Sequence, residues 1–75
     1  MAAQVLFDFS KLRGRIVEKF GTLERFAEEG GHSKGWISTR VNNVVPWDGP
    51  EIHESCVLLD IPFEDIPVYF FTPKF

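Results

Sequence analysis

No segment of this chain can run far as one element, because backbone breakers recur along its whole length. Gly21, Gly30-Gly31, Asn42-Asn43, Pro46, Pro62, Pro67 and Pro73 divide it into short pieces. Glycine takes the left-handed conformation that closes a helix at little cost, asparagine tolerates it, and proline removes a backbone donor. Between the breaks, apolar residues recur at helical spacing: Leu12, Ile16 and Phe20; Leu23, Phe26 and Ala27; Ile37 and Val41; Ile52, Cys56 and Leu59. Start signals sit where these runs begin. Ser10, Thr22 and Ser33 are capping types, and Asp48 with Glu51 three residues later forms a capping-box pair, with Pro50 in the first turn. The spacing therefore predicts four short helices and an all-α chain. Phe63–Ile66, between Pro62 and Pro67, has room for one further turn at most. The two ends, VLFDF (5–9) and VYFFTPKF (68–75), are apolar and extended in character; pairing with each other as a small two-stranded ribbon is one expectation for them, and binding to another subunit the other.

At 75 residues the chain is one domain, 1–75, with a core that depends on its eight phenylalanines and other large side chains. Cys56 stands alone, so no intrachain disulfide is available; its apolar neighbours predict a small buried hydrophobe in a reducing compartment. The sequence has no apolar run long enough to span a membrane, and MAAQVLFDF lacks the basic start of a signal peptide; a cytoplasmic protein is expected. His53 has no second ligand at metal-binding spacing, and Glu24, Glu28 and Glu29 have no nucleophile or phosphate loop beside them. No metal, no cofactor and no enzyme activity are expected.

The net charge of −3 argues against nucleic acid, but its distribution does not. From Ser10 to Trp47 the balance is +3; from Asp48 onward six acids face Lys74 alone, for −5, and Asp8 completes the total. Such a chain carries an oriented field, and its basic half can face an anionic partner. Within that half, residues 22–43 read as two short helices joined by a glycine turn, which is the layout of a helix-turn-helix. That layout lets one helix brace on DNA while the next lies in the major groove.

The segments FDFSKLRGRIVEKFGT, FAE, S...IS..VNN..P, LLDIP and YFFTPKF resemble the small phage-encoded Cro/repressor-type (XRE-like) helix-turn-helix proteins of Gram-positive phages and prophages. The resemblance implies an all-α, compact bundle of about five short helices, and a transcription regulator that binds a duplex DNA operator through the major groove, often as a homodimer. By position it implies a phosphate contact at Thr22. It places Ser33, Lys34, Gly35, Ser38 and Thr39 at the start or outer face of the recognition helix, and Arg40 and Asn43 against phosphate. The chain departs from the family at Leu23, where a polar residue is usual, and at Gly30 and His32, where large apolar residues are usual. Each lost apolar side chain forfeits about 1.5–3 kcal/mol of burial. Gly35 brings no side chain to the reading end. Trp36 has three readings there: packing back on the core to replace lost volume, stacking near DNA, or anchoring a protein partner. The departures, with the net acidity, raise an alternative function: a modulator of helix-turn-helix fold that binds another protein, such as a phage repressor. Its interface is then Trp36 or the acidic helix from Asp48 to Leu59, and Trp36→Ala is expected to abolish the complex without unfolding the domain.

Overall fold

The computed structural model describes residues 6–74. It is a bundle of five helices: α1 (Ser10–Phe20), α2 (Leu23–Glu29), α3 (Lys34–Val41), α4 (Gly49–Leu59) and α5 (Ile66–Phe70), with a 3₁₀ turn at Phe63–Asp65. The periodic residues face inward as their spacing requires. Leu12, Ile16, Phe26, Ala27, Ile37 and Leu59 are essentially inaccessible, and Phe9, Val41, Ile52, Cys56, Ile61 and Phe70 complete the core. Phe20 and Leu23 are half-buried and pack against it. Burial pushes the Cys56 thiol above its ordinary range, as expected of a thiol placed in a core. No helix among the described residues is long and apolar enough to cross a membrane.

Three helices end with the same device. After α2 the N–H of His32 donates to Ala27 O (2.8 Å) and that of Gly31 to Glu28 O (3.0 Å), with Gly31 at φ +76. After α3, Asn43 stands at φ 62 and Val44 donates to Thr39 O; after α4, Asp60 stands at φ 54 and Ile61 donates to Cys56 O. In each case a left-handed residue turns the chain so that the next N–H reaches back to a last-turn carbonyl. Thr22, Ser33 and Asp48 cap as their residue types predict, and Asp48 and Glu51 make the full reciprocal box. α1 differs. Ser10 is its first residue and makes no cap; the Asp8 carboxylate accepts from both the Ser10 N–H and hydroxyl.

The termini meet, but scarcely as a ribbon. Phe7 and Pro73 form one isolated antiparallel bridge, flanked by Asp8 N–H to Thr72 O (2.7 Å) and Lys74 N–H to Leu6 O (3.1 Å). The tail is otherwise helical: Pro67 sits in the first turn of α5, where its missing donor costs nothing, and Phe70 reaches the core. Met1–Val5 and Phe75, the outer ends of the two segments, lie outside the described residues.

α2 packs on both α1 and α3, and α1 also contacts α4 and α5. The α2–turn–α3 unit therefore rests on the bundle with one side of α3 outward.

Candidate functional site

The outward side of α3 is sparse. Ser33 is exposed, and its hydroxyl oxygen accepts from the Trp36 backbone N–H as the helix cap (3.2 Å). Lys34 reaches Glu24 Oε1 at 3.2 Å, with both side chains largely in solvent, so the pair holds little energy and leaves the cation accessible. Gly35 opens to solvent, with only Ser33 Oγ in reach of a Cβ placed there. Ser38 is exposed, and its carbonyl accepts from the Asn42 amide (2.8 Å). Thr22 caps α2 at the exposed start of that helix, accepting from the Arg25 N–H (3.1 Å). Arg13 of α1 joins this side by donating to Asn42 Oδ1 (2.8 Å).

Trp36, Thr39, Arg40 and Asn43 are different: their polar groups are spent inside the chain. The Trp36 indole N–H donates to Glu51 Oε2 (3.0 Å). The guanidinium of Arg40 donates to the same oxygen (2.9 Å) and lies 5.0 Å over the Trp36 ring. The Thr39 hydroxyl donates to the Trp36 carbonyl (2.9 Å) and accepts from Arg40 (3.1 Å), which uses its one donor and one of its two acceptor lone pairs. The Asn43 amide clamps one residue of the N-terminal segment from both sides: Nδ2 donates to Phe7 O (2.9 Å) and Oδ1 accepts from Phe7 N–H (3.0 Å). The phosphate contacts inferred for Arg40 and Asn43 compete with these bonds, and so does a base contact by Thr39.

The departures at Gly30, His32 and Trp36 form one arrangement. The His32 ring stacks flat on Trp36, with centroids 3.8 Å apart and planes 6° from parallel. Trp36 meets Trp47 edge-on at 5.5 Å, and Trp47 meets Phe70 at 5.1 Å. An aromatic stack thus runs from the turn into the core, in the volume that large apolar residues at positions 30 and 32 would otherwise fill. His32 Nε2 is buried without a hydrogen bond, 3.5 Å from Glu54 Oε1. Gly30 permits the approach: a Cβ there would lie 2.9 Å from Glu54 Oε1 and 3.2 Å from His32 Cδ2. Trp36 consequently packs back on the core and is not a free anchor, so the expectation that Trp36→Ala removes an interface without cost to folding is corrected.

Glu51 is the residue whose importance the sequence understated. Its place in the capping box was legible; its role as acceptor for Trp36 and Arg40 was not, because those partners lie 15 and 11 positions away. Burial raises the Glu51 carboxyl. Hydrogen bonds from Arg40, the Asp48 backbone N–H and Trp36 together outweigh it and hold the group below its ordinary value.

A family model described as "Protein of unknown function (DUF739)" matches residues 5–73. Among solved structures, the chain is similar to the solution structure of the modulator of repression (MOR) of the temperate bacteriophage TP901-1 from Lactococcus lactis. The two share 40% identity over 87% of this chain and 88% of that one, with a TM-score of 0.79. No curated protein matches. Neither match bears the Cro/repressor name inferred from the sequence.

Proposed function

We propose, from the premise that the chain belongs to the DUF739 family, that it is a small phage regulatory protein that acts by binding a repressor protein. The observation that carries this is the inward commitment of α3. Trp36 and Arg40 bond to α4, Asn43 just after α3 clamps the N-terminal segment, and Thr39 is spent within the helix. A base-reading helix needs donors and acceptors free at its outer face. Here that face offers Ser33, Lys34, Gly35 and Ser38, one of them without a side chain and one already a cap. The net charge of −3 adds a long-range penalty for approaching DNA. The similarity to a protein titled a modulator of repression agrees with the reading.

A second reading, an operator-binding dimer, draws on one feature: Arg13, Lys34, Ser38 and Asn42 line a common shallow groove on the α3 side. One experiment separates the two. Duplexes are selected from a random pool with the purified chain, at low and near-physiological salt, and the repressor of the same phage is titrated onto its operator with and without the chain. A modulator yields no two-fold motif alone and shifts the repressor's operator affinity. A recovered motif with half-sites about one helical turn apart, lost in Lys34→Ala, establishes the operator reader instead.

A further inference from the structure

α4 has a buried side and an outer side that carries exposed apolar surface. Ile52, Ser55, Cys56 and Leu59 face the core. Glu54, Val57 and Asp60 follow one another at three-residue spacing and so share an outer stripe. Val57 is 64% exposed, and Phe63, in the 3₁₀ turn that follows, is 61% exposed. A shallow groove of about 240 Å³ runs between them, floored by Cys56, Ile61 and Pro62. The Phe63 ring is steadied by His53, with ring centroids 5.5 Å apart. Two large apolar side chains are thus held in water beside a preformed groove, by contacts that do nothing to bury them.

The surroundings are anionic. Between Arg40 and Lys74 the sequence has no lysine or arginine, and the six acids of the C-terminal half all lie in this interval. Glu64 is exposed next to Phe63, and Glu54 keeps 45% of its side chain in solvent. Lys19 reaches Asp60 from the α1 side, and Arg15 is occupied with the carbonyls of Leu59 and Asp60. A second copy of this chain is a poor occupant: a two-fold contact here would set these carboxylates against their own equivalents.

We infer that the Val57–Phe63 groove is the docking site for a basic amphipathic helix of the partner protein, with one or two large apolar side chains seated between Val57 and Phe63 and flanking Lys or Arg side chains on Glu54 and Glu64. This rests on the reading of the chain as a protein-binding modulator. The apolar centre supplies affinity, and the acidic rim supplies rate and orientation.

The test uses the full chain and the full-length repressor of the same phage, with affinity measured by calorimetry at two salt concentrations. Val57→Lys and Phe63→Ser each weaken binding at least tenfold, while helical circular dichroism and the thermal midpoint stay close to wild type, because both side chains are exposed. Glu64→Lys weakens binding at the lower salt concentration and flattens the salt dependence. Val44→Lys, at a second exposed apolar position (67%) outside this groove, binds as wild type. Unchanged affinity in Val57→Lys and Phe63→Ser overturns the docking site while leaving the modulator function standing, as does a loss in Val44→Lys alone. Failure of the unaltered chain to bind the repressor overturns the function and the site together.

Discussion

Glu51→Ala is expected to weaken the fold as much as the loss of a core side chain, and its magnitude follows from what the side chain holds. Glu51 Oε1 accepts from the Asp48 N–H (3.1 Å), closing the capping box of α4. Its Oε2 accepts from Trp36 Nε1 (3.0 Å) and Arg40 Nη2 (2.9 Å). The Arg40 and Glu51 side chains are only 17% and 14% exposed. Removing one partner of a buried ion pair costs about 3–5 kcal/mol, because the other charge is stranded. The remaining exposure of Arg40 puts this case at the lower end. The orphaned indole N–H and opened box belong to the same network, so their costs do not simply add. A total near 3–4 kcal/mol is expected, out of the roughly 4–11 kcal/mol available to a chain of this length. Glu51→Gln keeps an acceptor for the indole and gives up the charge, so it falls between wild type and alanine. Guanidinium unfolding followed by circular dichroism, with m unchanged, measures all three. The pH dependence supplies the sign. The folded carboxyl lies below its ordinary value of 4.5, so its stabilisation is complete above that value and fades as pH falls through the folded one. Asp8 and Asp60 are also held low, by hydrogen bonds from Ser10 and Lys19 respectively, and they contribute equally to wild type and Glu51→Gln. The acid-side loss is therefore shallower in Glu51→Gln by the Glu51 share. A cost below about 1 kcal/mol for Glu51→Ala, or identical acid limbs for wild type and Glu51→Gln, refutes the network as a stabilising unit.

Trp36→Ala removes the centre of the His32–Trp47 stack and lowers stability by about 3 kcal/mol, the lower end for a large aromatic because Trp36 is only half-buried. The thermal midpoint falls by more than about 10 °C, and Trp36→Phe recovers part of it. Asn43→Gly keeps the left-handed backbone and loses the Phe7 clamp, while Asn43→Ala loses both; hydrogen exchange at the Asp8 and Lys74 amides quickens in both variants, and only alanine adds about 1–2 kcal/mol of backbone strain. Gly31→Ala, at φ +76 with open space around it, costs about 1–2 kcal/mol by backbone conformation alone, measured by denaturant unfolding.

What the sequence made legible was local. Gly31 and Asn43 end helices, and Asp48 starts one, because capping depends on residue type within one turn of the chain. The core stripes were legible for the same reason, being a matter of spacing. Ser10 failed as a cap because the residue two before it, Asp8, took that role. The tail failed as a strand because β-prone composition in 66–70 was outweighed by Pro67 in a first turn and Phe70 bound for the core. Packing of Trp36 into the volume left by Gly30 and His32 was one of the three readings the sequence offered; the anchoring that selects it was not legible. It depends on Glu51 and Glu54, which α4 brings to the turn from the next part of the chain. Arg40 and Asn43 are residue types that suit a DNA contact as well as an internal bond, and only the positions of Glu51 and Phe7 decide between them.

The arrangement also says where change can occur without loss of the fold. With glycine at position 30 and histidine at 32, the volume at the turn is supplied by Trp36, and Trp36 is held by Glu51, which in turn holds Arg40. Trp36 and Arg40 of α3 are thereby tied to α4, Thr39 bonds to both of them within the helix, and Asn43 just beyond it is tied to the N-terminal segment. Altering one to recognise a different base sequence would cost stability first, so α3 is a poor surface on which to tune recognition. Val57 and Phe63 carry the opposite constraint: they are exposed and cap nothing. Recognition can be adjusted there at little cost to folding. Saturation mutagenesis of both segments, scored for abundance and for repressor binding, should therefore divide. Losses at Trp36, Arg40 and Asn43 should appear in abundance and binding together. Losses at Val57 and Phe63 should appear in binding alone. A binding-only pattern at Thr39 and Arg40 would return the functional surface to α3 and refute the division.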